Sequence, residues 1–208
     1  MFQATLSPST CPSGSVAAAV CHIYALALGR FPDAAGSKYW TSKLSTGTPE
    51  AAMAHTLVTS KEGLQVLVGR LYRAELGRSP SPAALTAWAT LLARGASPES
   101  LEAYLLASPE KFTADGATNH SWVTDTFRQV LHRAPNQAEL ALWTAALSRG
   151  SRTAVAVAIL LSTDGRAATV NDLYLALLGR PPTNAQLRTS LHTAELELEI
   201  QLIAQAAP

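Results

Sequence analysis

The stretch LGRFPDAAGSKYW, residues 28–40, decides the fold because near-copies of it recur along the chain. The copies are LGRSPSPAALTAW (76–88), LHRAPNQAELALW (131–143) and LGRPPTNAQLRTS (178–190), the last without its tryptophan. Their arginines, Arg30, Arg78, Arg133 and Arg180, lie 48, 55 and 47 residues apart. A period of this length is typical of stacked helical units. The sequence therefore predicts a repeat protein with four units.

Further columns of residues keep a fixed distance from each arginine. The aromatic column lies six residues before it: Tyr24, Tyr72, Phe127 and Tyr174. The tryptophan column lies ten residues after it in the first three units: Trp40, Trp88 and Trp143. A proline follows two residues after every arginine, and a glycine follows seventeen after the first three. About thirty residues after the first three comes the serine of a Ser-x-acid sequence: Ser60, Ser108 and Ser162. Chance does not align five columns, so these residues define the repeat.

The columns predict three helices in each unit. The segment before the arginine is amphipathic, and Gly29, Gly77 and Gly179 stand where a left-handed residue ends a helix, with His132 in the third unit. A second helix carries the tryptophan, over about 34–46, 82–94 and 137–149. A third helix opens at Thr-Pro-Glu or Ser-Pro-Glu, which combines an N-cap hydroxyl with a proline in the first turn. The expected fold is all-α, with the units stacked into a compact or two-lobed array.

The expected domain organisation follows from where the repeats begin and fade. Residues 1–14 are rich in Ser, Pro and Thr and predict an extended arm, followed by repeats one and two over 15–112. The polar stretch 113–121 is a candidate hinge and explains the wider second spacing. Repeat three and a degenerate repeat four occupy 122–208. The tail 195–204 alternates like a strand, yet its residues favour a short helix that caps the array.

Composition excludes several classes of function. Sixteen basic and fifteen acidic residues leave a net charge near zero, and the basic residues do not cluster, which argues against nucleic-acid binding. No apolar run reaches the roughly 18 residues of a membrane helix, so no span is expected. The first residues lack the basic start of a signal peptide. Cys11 and Cys21 are the whole cysteine inventory, and two unpaired thiols are favoured over a bridge that closes a short loop.

The first unit resembles the bacterial repeat family known as domain of unknown function 4214. The resemblance rests on Tyr24, LGR at 28–30, Pro32-Asp33, Gly36, Tyr39-Trp40, Gly47 and Ser60-Lys61-Glu62. Later units keep the helix core but lose the Asp and the mid-loop Gly, and the resemblance covers about 16–205. That family is distantly similar to the phycobilisome linker domain, which holds other proteins together. The resemblance implies an all-helical, non-enzymatic module and favours an extracytoplasmic or cell-surface location.

Each conspicuous side chain has a structural and a functional interpretation. The arginines are able to bind a carboxylate, phosphate or sugar, but a bridge to Asp33, Glu139 or helix-end carbonyls is favoured. The tryptophans are able to stack on sugars, but their helical spacing favours the core. Trp122 lies outside the column beside the polar joint, so it is expected to be exposed and is the candidate partner contact.

No residue pattern indicates catalysis, a cofactor or a metal. The five histidines show no i, i+4 pairing and no grouping with Cys or Asp. The glycines are single helix terminators and form no phosphate loop. The leading hypothesis is a non-catalytic structural or scaffolding protein that docks onto other protein subunits in a larger bacterial assembly. The alternative is a carbohydrate-binding module, which predicts that Trp40 or Trp88 is largely exposed to solvent.

Overall fold

The computed structural model describes residues 11 and 15–207, and this part of the chain forms helices without any strand. The helices are α1 (Val16–Leu28), α2 (Ala34–Ser45), α3 (Glu50–Val58), α4 (Lys61–Leu76), α5 (Pro82–Ala93), α6 (Pro98–Leu106), α7 (Pro109–Ala114), α8 (Asn119–Leu131), α9 (Gln137–Leu147), α10 (Arg152–Leu160), α11 (Thr163–Leu178), α12 (Asn184–Ser190) and α13 (Glu195–Ala206). The predicted all-α fold class is confirmed.

Serine hydroxyls begin the helices that join one unit to the next. Ser60, Ser108 and Ser162 are the N-caps of α4, α7 and α11, and each hydroxyl accepts a hydrogen bond from a backbone N–H three residues later. Such a cap satisfies a donor that the helix itself leaves unpaired, which stabilises the helix by about 1 kcal/mol. The Ser-x-acid column therefore marks helix starts.

Glycine ends the helix that carries the aromatic column. Gly29, Gly77 and Gly179 have φ angles of 64°, 66° and 65°, and each donates its N–H to the carbonyl four residues earlier. His132 takes the same left-handed conformation with φ 54° in the third unit. The left-handed conformation is less favourable for a residue with a Cβ than for glycine, as expected from the sequence.

The joint between the second and third units interrupts a helix that is continuous elsewhere. In α4 and α11, one 16-residue helix runs from a Ser-x-acid start to the aromatic column of the next unit. The corresponding segment of the second unit is split into α7 and α8, with left-handed residues at Gly116 and Ala117. The inserted turn accounts for the wider arginine spacing. The role of 113–121 as a hinge stays a prediction.

The third helices of the units pack in two pairs: α6 lies against α10, and α3 lies against α13. Ile200 and Ile203 of α13 join a core cluster with Val20, Ile23 and Met53 of the first unit. The tail is a helix, as predicted. It does not cap a free end of the array, however, because its apolar face completes the core of the first unit.

A disulfide joins Cys11 to Cys21, with 5.7 Å between their Cα atoms. The preference for two unpaired thiols is therefore wrong. The sequence before α1 has no apolar pattern from which the position of Cys11 beside α1 could be predicted. The rest of the predicted arm, residues 1–10 and 12–14, lies outside the described part of the chain.

No single helix within 15–207 combines the length and hydropathy of a membrane span. The consecutive helices α10 and α11 reach that length and hydropathy only when they are taken together, and they are bent by 65° where they meet.

Candidate functional site

The arginine of the first unit is held by three neighbours. Its Nε and Nη2 donate hydrogen bonds to the two carboxylate oxygens of Glu62 at 2.6 and 2.8 Å, and its Nη1 donates to the Phe31 carbonyl at 3.1 Å. The guanidinium carbon lies 5.3 Å from the centroid of the Tyr24 ring. The hydrogen bonds from Arg30 hold the pKa of Glu62 below its ordinary value. Arg30 therefore ties the aromatic column to the Ser-x-acid column of its unit.

The second unit repeats this geometry. Arg78 donates from Nε and Nη2 to the carboxylate of Glu110, with both distances 2.6 Å, and its guanidinium carbon lies 5.5 Å from the Tyr72 ring centroid. In both units the acid follows the arginine by 32 residues. A fixed spacing thus brings together two columns that the sequence presented separately.

The third and fourth units vary the partner of the arginine. Arg133 donates to both oxygens of Glu139 at 2.9 and 2.7 Å and to Asp164 at 2.8 Å. Hydrogen bonds from Arg133 and from the Asn136 backbone lower the pKa of Glu139 to about 2. Arg180 has no carboxylate partner among the described residues, and its Nη1 donates to the Gln186 amide oxygen and to the Pro181 carbonyl, both at 3.3 Å. The predicted Arg133–Glu139 bridge is present.

The remaining sequence expectation for these arginines concerned Asp33. Asp33 instead caps α2, accepting a hydrogen bond from the Gly36 N–H at 2.6 Å. The arginines of the third and fourth units also lie over their aromatic residues, with Arg133 5.4 Å from the Phe127 ring centroid and Arg180 5.8 Å from that of Tyr174. All four repeat-defining arginines therefore contact groups inside the chain.

The tryptophan of the first unit packs with the aromatic residue that lies under Arg30. We call the aromatic residue, arginine, tryptophan and acid of one unit its corner. Trp40 is 8% exposed and lies in the same core cluster as Tyr24. Burial raises the pKa of Tyr24, and Arg30 opposes the shift. A Cβ on Gly36 would lie 2.6 Å from the Tyr24 hydroxyl, so any other residue at this position would require the Tyr24 side chain to shift.

None of the three tryptophans of the repeat column is largely exposed to solvent. Trp88 and Trp143 are partly buried and pack against the clusters of the second and third units. The carbohydrate hypothesis required a largely exposed Trp40 or Trp88, and neither ring is. The expectation that the tryptophan column belongs to the core agrees with this placement.

The expectation that Trp122 is exposed is wrong. Its side chain is fully buried in the cluster of α6, α8 and α10, and its Nε1–H donates to the Leu106 carbonyl at 2.8 Å. That carbonyl ends α6, where the helix provides no partner of its own. The polar neighbours of Trp122 in sequence belong to the turn before α8, whereas the ring points into the protein.

The described residues contain no group of three or more His, Cys, Asp or Glu side chains placed to hold a metal. His132 lies beside the Asp172 carboxylate, with its Nε2 2.8 and 3.0 Å from the two oxygens, and links the third unit to the fourth.

Several carboxyl groups are wholly or partly shielded from solvent, which raises their pKa values. Burial raises the pKa of Glu75 to about 7, although Lys111 opposes the shift, and Gln129 donates a hydrogen bond to its carboxyl at 2.7 Å. Burial likewise raises the pKa of Glu195 to about 8 and that of Glu102 well above its ordinary value.

One buried carboxylate has a full partner. Arg70 donates from Nη1 and Nη2 to the two oxygens of Glu199 at 2.7 and 2.8 Å, and the side chains are 21% and 5% exposed. The pair joins α4 to α13. It therefore fixes the last helix of the chain onto the helix that links the first two units.

A groove of about 460 Å³ lies between α1, α4, α5 and α11. Its apolar walls include Leu26 and Leu28 of α1, Leu85 of α5 and Leu177 of α11. One face of α4 forms the floor and carries the polar groups of Glu62, Gln65, Arg70 and Arg73. No sequence motif indicated this groove, because its residues come from three units.

The surface of the second unit carries an aromatic pair, Trp88 and Tyr104, whose ring centroids lie 5.1 Å apart. Tyr104 is 51% exposed, and Leu91, one turn along α5 from Trp88, is 45% exposed. Trp88 also packs against the core cluster that contains the buried Tyr72. We call Trp88, Leu91 and Tyr104 the aromatic patch.

Comparison with known protein families gives one match. The model of the family described as domain of unknown function (DUF4214) matches residues 15–67 and 102–169, more than half of the chain. The chain belongs to this family. Each DUF4214 segment contains a complete corner, with its aromatic residue, arginine, tryptophan and acid. No curated protein and no solved structure matches the chain. The similarity to the phycobilisome linker domain stays a prediction.

Proposed function

We propose that this protein is a non-catalytic structural or scaffolding protein that docks onto partner proteins in a larger bacterial assembly. The observation that supports the proposal is the aromatic patch, where Tyr104 and Leu91 are each about half exposed. Tyrosine and tryptophan are enriched in protein interfaces because a large rigid ring loses little conformational entropy on binding.

The patch belongs to the second unit alone. Tyr104 is the seventh residue of α6, and the seventh residues of the third helices in units one and three are Thr56 and Ala158. Repetition of the fold therefore does not account for Tyr104. A side chain that departs from its repeat and faces solvent is a good candidate for a contact specific to this protein.

The disulfide supports a location in an oxidising compartment, outside the bacterial cytoplasm. This agrees with the extracytoplasmic or surface location that the family resemblance favours. Partner proteins would then be other subunits of an envelope or surface assembly.

The test uses cross-linking in native extracts, followed by identification of the captured subunits. We expect the double variant Tyr104→Ser, Leu91→Ser to lose a partner that the wild-type protein captures saturably. The matched control is Leu142→Ser, because Leu142 is 63% exposed but lies on α9, which packs against α8 and α10. A stable monodisperse monomer that captures no partner contradicts the proposal. Specific retention on a glycan array, abolished by Trp88→Ala, supports the carbohydrate-binding alternative instead.

A further inference from the structure

The floor of the groove is one continuous face of α4. Glu62, Val66, Gly69 and Arg73 follow one another at intervals of three or four residues, so they lie along one side of the helix. Gly69 stands in the middle of this face, where it is buried beside the guanidinium of the exposed Arg73.

No contact among the described residues requires a glycine at position 69. A Cβ on Gly63 would lie 2.2 Å from the Leu57 carbonyl oxygen, so that glycine is required by a close approach of backbone. A Cβ on Gly69 would meet only the flexible guanidinium of Arg73, at 3.4 Å or more. Glycine inside a helix is unfavourable relative to alanine. Gly69 therefore keeps this part of the groove floor free of a side chain of its own, with the guanidinium of Arg73 as its nearest neighbour.

The groove carries one uncompensated positive charge. Glu62 is paired with Arg30, and Arg70 is paired with Glu199. Arg73 forms no ion pair with any residue in the described part of the chain. A guanidinium without an ion-pair partner, at the edge of a groove with apolar walls, is suited to one carboxylate attached to an apolar body.

The size of the groove favours a small molecule over a polypeptide. Its volume of about 460 Å³ falls within the range of roughly 300–1,000 Å³ that is usual for small-ligand sites. We propose that the groove binds a small aliphatic monocarboxylate. Its chain lies against Leu26, Leu85 and Leu177 above Gly69, and its carboxylate accepts hydrogen bonds from Arg73. This binding site is independent of the aromatic patch.

The experiment is a calorimetric titration of the full chain with octanoate below its micelle concentration, with octanol as the uncharged probe of equal length. We expect saturable one-site binding of octanoate, and binding of octanol weaker by about tenfold or more, because a charge-assisted hydrogen bond is lost. Arg73→Gln weakens octanoate binding by a similar factor and leaves octanol binding unchanged. The matched control, Arg94→Gln, removes an exposed arginine at the end of α5 and leaves both affinities unchanged.

Gly69→Ala separates binding from folding. The added methyl group enters the groove, so octanoate binds several-fold more weakly while the melting temperature stays equal or rises. Non-saturable binding of octanoate, equal affinity for octanol, equal weakening by Arg94→Gln and Arg73→Gln, or full affinity in Gly69→Ala each overturn the proposal.

Discussion

Replacing Gly63 by alanine tests the packing at the start of α4. Its Cβ would lie 2.2 Å from the Leu57 carbonyl oxygen and 2.5 Å from that of Val58, distances that real Cβ atoms essentially never show. Both atoms belong to the backbone at the end of α3, so no rotamer change relieves the clash. The backbone between α3 and α4 has to shift instead.

The expected loss of stability follows from the cost of overpacking a protein core, which is about 1–3 kcal/mol and sometimes more. Because backbone atoms move, we expect Gly63→Ala to lower the free energy of unfolding by about 3 kcal/mol or more. The matched control on the same helix is Gly69→Ala, whose Cβ contacts only the Arg73 side chain. Since alanine favours the helix, this control raises the free energy of unfolding by about 0.5–1 kcal/mol.

Thermal unfolding followed by circular dichroism distinguishes the two variants. For a chain of this size, 1 kcal/mol corresponds to about 2–4 °C in the melting temperature. Gly63→Ala is therefore expected to melt about 6 °C or more below the wild-type protein, and Gly69→Ala about 1–4 °C above it. Gly165→Ala should behave like Gly63→Ala, because its Cβ would lie 2.3 Å from the Ile159 carbonyl oxygen. Equal melting temperatures for Gly63→Ala and Gly69→Ala refute the reasoning.

Three further predictions concern polar groups and are read from urea unfolding. Glu199→Gln breaks the buried ion pair with Arg70 and lowers the free energy of unfolding by about 3–5 kcal/mol. Glu62→Gln breaks the ion pair with Arg30, whose side chains are 44% and 45% exposed, and lowers it by less than about 1 kcal/mol. Equal losses of stability in the two variants contradict this ranking. Burial raises the pKa of Glu75 from 4.5 to about 7, so the folded protein keeps a proton that the unfolded chain releases, and stability falls as the pH rises between these values. Glu75→Gln should match the wild-type protein at low pH and exceed it in free energy of unfolding by about 3 kcal/mol at pH 8. Parallel pH profiles of stability for the two proteins contradict this prediction. Trp122→Phe leaves the buried Leu106 carbonyl without its hydrogen-bond donor and lowers the free energy of unfolding by about 2–4 kcal/mol. An unchanged urea midpoint contradicts the burial of Trp122.

Local patterns in the sequence predicted the helices of each unit well. The N-cap serines, the left-handed glycines and the prolines act within one turn of backbone, so their positions alone indicate where a helix begins or ends. The predicted second helix at 82–94 differs by one residue from α5, Pro82–Ala93. The tail was correctly predicted as a helix for the same reason, because its residues favour that conformation.

The candidate sites were predicted less well, because they depend on which segments meet. The polar neighbours of Trp122 suggested exposure, but the ring lies between α6, α8 and α10. The constant distance of 32 residues between Arg30 and Glu62, and between Arg78 and Glu110, was the signal for the ion pairs in the corners. It is visible in the sequence once both columns are considered together.

The sequence by itself determined the repeat, the helical class and the corner that begins at LGRFPDAAGSKYW. These properties follow from hydrogen bonding and steric preferences of neighbouring residues, which act at short range along the chain. Only the tertiary structure decided that α13 completes the core of the first unit, that Arg70 meets Glu199 across 129 residues, and that a groove lies over Gly69. These features require segments from different units to pack together, and packing depends on the shapes of surfaces that no local pattern specifies.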